Sequence, residues 1–238
     1  MQEGKEAASC TYWDVPGNEN VLPPEEMRKR IAAQIAAEEA KEFPDYLPED
    51  ADDDAKLCER AIQFAADAHK GDFRKGNHLP YIIHPMEVMM LAAQMTSDAD
   101  VIAAGALHDV VEDTPYTVED IRHRFGERIA SLVDMESEDK RPDRPKSETW
   151  RIRKEESLLH DKDAPIEAKY IMLADKLSNM RATLRDFEKD GHNIWQKFNM
   201  KDEAQQEWYY RTVAEVLKEL ENEPLYREYL DILKKIFG

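Results

Sequence analysis

Residues 106–114 read Ala-Leu-His-Asp-Val-Val-Glu-Asp-Thr, which sets an imidazole, His108, beside three carboxylates, Asp109, Glu112 and Asp113, in an otherwise apolar stretch. On a helix, His108 and Glu112 stand four apart, Asp109 and Glu112 three, and Asp109 and Asp113 four, so the spacing predicts that they crowd one side. The preceding residues 101–107, Val-Ile-Ala-Ala-Gly-Ala-Leu, are hydrophobic nearly all round and predict a helix buried in a core. Three carboxylates against such a wall repel one another and resist ionisation. A divalent cation is the usual way of keeping them there. A second His-Asp pair, His160-Asp161, lies among Leu159, Lys162, Asp163 and Pro165 and is read as a solvated helix end.

Two further positions have the right chemistry. His84 precedes Pro85 in Tyr-Ile-Ile-His-Pro, which places it at or near the cap of a helix expected over 86–95. Asp175 and Asn179, four apart, share a face within the apolar run 170–181, where a buried aspartate needs a partner and a metal would provide one. His84, His108, Asp109 and Asp175 together make a mixed nitrogen and oxygen set that suits manganese, iron, cobalt or zinc alike. The sequence offers no Gly-rich phosphate loop, cysteine-based zinc motif, coiled coil or internal repeat, and no serine nucleophile with a base beside it.

The elements that must position these groups read as helices throughout. The chain has 238 residues, enough to bury a sizeable core, with only 8 Gly and few alternating apolar and polar runs, so the expected fold class is all-α. Helices are expected over 25–41, 55–70, 86–95 and 98–113. A capping-box start at Thr117 and Asp120 opens a short helix ending at Phe125-Gly126, and another helix runs from Arg128 to about Met135. A long helix follows Pro165, and two amphipathic helices divide near Asn222-Glu223-Pro224, with the Trp208-Tyr209-Tyr210 cluster read as core. Lys140, Arg141, Arg144, Lys146, Arg151, Arg153 and Lys154 form the one clear positive run, readable as a solvated helical face or as a phosphate site.

Charge divides the chain. Of the net −18, about −10 falls in residues 1–55, which hold 15 acidic and 5 basic side chains. The expected organisation is an acidic N-terminal helical extension, 1–50, followed by one domain, 51–238. So acidic a surface repels a phosphate backbone, so no nucleic-acid partner is expected, although a small anionic substrate remains open if a metal and a local basic patch meet it. No stretch suits a membrane span or a signal peptide, and two cysteines, Cys10 and Cys58, are too few for a disulfide framework, so a cytoplasmic protein is expected. Oligomeric state is not readable.

Tyr-Ile-Ile-His-Pro, His-Asp-Val-Val-Glu-Asp-Thr and Leu-Ala-Asp-Lys-Leu-Ser-Asn-Met-Arg, in that order, resemble the HD-domain hydrolases of the RelA/SpoT type, especially the stand-alone small alarmone hydrolases, over about Leu57 to Leu220. The resemblance implies an HD-domain helical bundle and one manganese ion held by His84, His108, Asp109 and Asp175. It also implies hydrolysis of the 3′-pyrophosphate of (p)ppGpp to GDP or GTP and pyrophosphate. By the same resemblance, Glu112 and Asp113 serve the water, while Arg74, Lys75, Asn179 and Tyr209 meet the nucleotide. The chain departs from the family pattern at Ala182, where synthetase-linked members have threonine, and at the extra residues in Gly76-Asn77-His78-Leu79-Pro80. The rival readings are an HD phosphatase acting on the 2′-phosphate of NADPH or on a nucleoside monophosphate, a nucleotide-binding regulator without turnover, and a helical interaction module.

Overall fold

The computed structural model describes residues 29, 47–48, 50–74, 79–138, 141 and 143–238. The chain divides into two units, Met1–Glu49 and Asp50–Gly238, and the described structure is essentially that of the second. The expected lead-in and the helix over 25–41 lie outside the described residues, apart from the helical Lys29. Among the described residues the fold is all-α, with an isolated antiparallel bridge between Phe73 and Pro80 as an extended pairing.

The first helix, α1 (Asp53–Ala68), is capped by the Asp52 carboxylate, which accepts from the Ala55 N–H at 2.7 Å. Next come α2 (Ile83–Ala92), α3 (Ala99–Leu107), the single turn α4 (Val110–Asp113), α5 (Val118–Phe125) and α6 (Glu127–Glu136). The chain continues through α7 (Lys146–Lys162), the 25-residue α8 (Ile166–Asp190), a 3-10 segment Gly191–Lys197, α9 (Glu203–Val216) and α10 (Pro224–Phe237). The predicted capping box is present at the start of α5. Helices α3 and α8 hold the middle: α3 packs on α1, α2, α6 and α8, and α8 on α2, α6 and α10 as well.

Small side chains explain why α3 can be central. Ala103, Ala104, Gly105 and Ala106 are all buried, and a Cβ on Gly105 would stand 3.3 Å from the Met89 Cα of α2. The glycine therefore lets two backbones approach closely, and that approach brings His84 on α2 next to His108.

The helix expected over 55–70 spans Asp53–Ala68, and two further helices differ in limits that bear on the site. The central helix is not continuous over 98–113 but breaks at His108 and Asp109, where Asp109 has φ −90° and ψ −6°. The physical reason is local: His108 Nδ1 bonds the Gly105 carbonyl at 2.9 Å, the acceptor an unbroken helix would offer to the Asp109 N–H. The second helix begins at Ile83 rather than at Met86, which leaves His84 near the cap as expected, two residues after Ile82, and it ends at Ala92 rather than at Met95. Pro85 is tolerated there because first-turn N–H groups have no intrahelical acceptor.

Candidate metal centre and active site

Four ligand-type side chains converge, His84 from α2, Asp175 from α8, and His108 and Asp109 from the break between α3 and α4. His84 Nε2, His108 Nε2 and an Asp109 carboxylate oxygen all lie within 4.8 Å of one another. Asp109 Oδ2 is 3.0 Å from His108 Nε2 and 3.5 Å from His84 Nε2. From α8, Asp175 Oδ1 comes within 3.1 Å of His84 Nε2 and 3.8 Å of His108 Nε2. Both histidines are 2–3% exposed. His108 Nε2 has no hydrogen-bond partner despite its burial, while its Nδ1 faces a carbonyl and can only donate. A buried imidazole nitrogen with no well-aligned hydrogen bond, facing two carboxylates, makes a donor set that fits a divalent ion.

The carboxylates, the imidazoles and Lys176 shift one another's protonation. Burial opposes a charge on His108, but the Asp109 carboxylate, with Asp175 behind it, pushes that imidazole up to about 10. Burial also opposes ionisation of Asp109 and Asp175. It is outweighed by His108 and His84 at Asp109, and by Lys176 and the histidines at Asp175, so both carboxyls are held far below their usual range. Lys176 Nζ meets Asp175 Oδ2 at 2.5 Å, and Asn179 donates to Asp175 Oδ1 at 2.6 Å, as its position one turn along predicts.

The acidic pair lies on the short turn after the break. Asp113 Oδ2 is 3.1 Å from the hydroxyl of Tyr81, which donates to Asp109 Oδ2 at 2.6 Å. Tyr81 thus links a candidate ligand to the acidic pair, and burial with those carboxylates pushes its own pKa upward. Glu112 is half-buried on α4. On the other side, Arg74 donates to Asn179 Oδ1 at 3.3 Å and lies 5.9 Å over the Tyr81 ring, tying the segment that follows α1 to α8. Lys75 lies outside the described residues. Tyr209 is buried and lines a cavity of about 170 Å³ with Trp150, Lys154, Lys176, Asn179 and Tyr210, directly beside Asp175.

The structure corrects other readings. The positive run is largely consumed by pairing: Arg153 is buried against Glu138, Arg141 meets Glu156 at 2.6 Å, and Arg151 stacks 3.2 Å over Trp208. Lys154 bonds Glu138 while facing the Tyr209 ring. Asp161 is not a solvated helix end: it is 8% exposed, accepts from Ser157 at 3.1 Å, and burial raises its carboxyl. A serine does stand beside an imidazole, with Ser178 Oγ 2.9 Å from His84 Nδ1. Tyr81, Lys176, Ser178 and Glu87 went unassigned in the sequence, although all but Glu87 lie inside its recognisable motifs. Periodicity shows which residues share a helix face, but not which helices meet.

Comparison with known proteins fits this geometry. A family model described as HD domain matches residues 61–204. The chain belongs to the HD-domain family. This HD-domain chain is 34% identical over 170 residues to a Xenopus tropicalis protein named guanosine-3′,5′-bis(diphosphate) 3′-pyrophosphohydrolase MESH1, covering 70% of the chain and 86% of that protein. It is 39% identical over 118 residues to a Haemophilus influenzae protein named guanosine-3′,5′-bis(diphosphate) 3′-pyrophosphohydrolase, covering 49% of the chain but 17% of that protein. The chain thus spans under a fifth of the length of the bacterial relatives it matches first. Among solved structures, it superposes on one described as a metazoan ortholog of SpoT that hydrolyzes ppGpp, with a TM-score of 0.61 and 25% identity, covering 82% of this chain and 98% of that one.

Proposed function

We propose that residues 51–238 form a metal-dependent phosphohydrolase that removes the 3′-pyrophosphate of (p)ppGpp, giving GDP or GTP and pyrophosphate, with residues 1–50 a separate acidic extension. The observation that carries this reading is the buried convergence of His84, His108, Asp109 and Asp175 beside a cavity lined by lysine, asparagine and tyrosine. The Xenopus relative, matched over most of its length, is named for this reaction.

His84, His108, Asp109 and Asp175 would hold one ion, with manganese the choice that the family resemblance favours. A bound divalent cation supplies a Lewis acid that polarises a phosphoryl oxygen and acidifies water. The residues do the rest. Glu112 takes or orients the proton of the attacking water. The water oxygen adds to the phosphorus carried on the ribose 3′-oxygen, the bond from that phosphorus to the 3′-oxygen breaks, and Asp113, 3.1 Å from the Tyr81 hydroxyl, serves the 3′-oxygen as it gains a proton. Acid-base help of this kind contributes about 10² to 10⁴ in rate. Arg74, anchored by Asn179, stacks on the purine, Lys75 meets phosphate, and Tyr209 and Lys176 line the nucleotide's cavity.

The test is product analysis of manganese-loaded protein fed ppGpp, NADPH and nucleoside monophosphates separately. The reading expects GDP and pyrophosphate from ppGpp in preference to phosphate from the others. Turnover of NADPH to NADH and phosphate alone would reassign the pocket, and binding of ppGpp without turnover would make the protein a sensor.

A further inference from the structure

Behind His84, away from the candidate ligands, runs a chain of polar side chains with a defined direction. Ser178, 1% exposed, places its Oγ 2.9 Å from His84 Nδ1 and donates to Glu87 Oε2 at 2.8 Å. Glu87 Oε1 accepts from Arg181 Nη1 at 3.2 Å, and Arg181 makes a two-pronged contact with Glu228 on α10, both distances being 2.7 Å. An ionised carboxylate only accepts, and a serine has a single hydrogen to give. With that hydrogen on Glu87, Ser178 Oγ must accept from His84, so the proton of the neutral imidazole sits on Nδ1. Its Nε2 lone pair is then directed at the space bordered by Asp109 and Asp175. His108 reaches the same state through the Gly105 carbonyl.

We propose that Glu87 and Ser178 form a carboxylate-hydroxyl relay that fixes the tautomer and ring orientation of His84, which makes both of them positioning residues for the metal site. Outer partners of this kind set ligand basicity and aim in metal centres generally. The relay joins helices that carry candidate ligands, since Glu87 follows His84 by three residues on α2 and Ser178 follows Asp175 by three on α8. Arg181 pairs with Glu87 and ties it to the C-terminal helix through Glu228. Buried, and with its hydrogen committed to Glu87, Ser178 is not a nucleophile.

The inference rests on the metal reading above, and its test separates the two. Full-length protein stripped of metal is titrated with Co²⁺ and followed by the ion's visible absorption, for the wild type, Ser178→Ala, Glu87→Gln and the double variant. The melting temperature of each metal-free protein is measured alongside. Each single change is expected to weaken Co²⁺ binding about 10- to 100-fold. The double variant is expected to bind no more weakly than Ser178→Ala, because Glu87 acts through Ser178. Glu87 is partly exposed, so Glu87→Gln decides the matter alone if Ser178→Ala does not fold. Unchanged affinities, or losses that add in the double variant, overturn the relay. A wild-type protein that takes up no Co²⁺ overturns the metal reading and the relay together.

Discussion

Asp109 and Glu112 are three residues apart, yet separable work is expected of them. Asp109 faces both imidazoles, so Asp109→Ala should remove metal and turnover together, measured by elemental analysis and steady-state rate. Glu112→Gln should keep the metal and lose about 10² to 10⁴ in rate; loss of the ion as well would refute the division of roles. Glu136 offers a pH-dependent check. Burial pushes its carboxyl up to about 8, with Lys176 opposing and Asp161 and Asp175 adding to the push. In the unfolded chain the same group titrates near 4.5. The folded protein therefore binds this proton more tightly, and the stability it contributes is complete below pH 4.5 and lost as pH rises through about 8. Metal-free Glu136→Gln should melt close to wild type at pH 5 and above it at pH 8.5, whereas a difference independent of pH would contradict that titration.

At the scale of elements, the site depends on how closely α2 and α3 pack. Gly105→Ala should test this. Helix propensity favours alanine by about 1 kcal/mol, and overpacking against the Met89 backbone costs about 1–3 kcal/mol. The melting temperature should therefore change modestly while metal affinity falls sharply, because His84 is displaced from His108. Much of this architecture is written locally. The capping box at Thr117, the helix after Pro165 and the division before Pro224 each follow from a residue's own backbone chemistry. The break at His108 was hidden because it depends on a side chain competing for a carbonyl within one turn. The meeting of Ser178 with His84, 94 residues away, and that of Tyr81 with Asp109, 28 away, belong to packing between helices. No local period records it. The candidate ligands were nonetheless legible as types, since a buried Asp or His in an apolar run poses a charge problem that a sequence does show.

For the molecule as a whole, compensation is the governing term. The carboxylates of Asp109 and Asp175 are met by Lys176, Tyr81 and Asn179 as well as by the two imidazoles, and an ion bound among them is expected to add to stability. At about 100 times its dissociation constant, a bound ion contributes about 2.7 kcal/mol, or roughly 5–10 °C in melting temperature for a domain of this size. Manganese addition and its reversal by a chelator should trace that shift in differential scanning fluorimetry. No described helix is long and apolar enough to cross a membrane.

The most direct measurement is anomalous diffraction at the manganese edge from crystals of the metal-loaded protein. A single strong peak is expected, bounded by His84 Nε2, His108 Nε2 and carboxylate oxygens of Asp109 and Asp175. A peak seated elsewhere, or none at this cluster under saturating metal, would contradict that expectation.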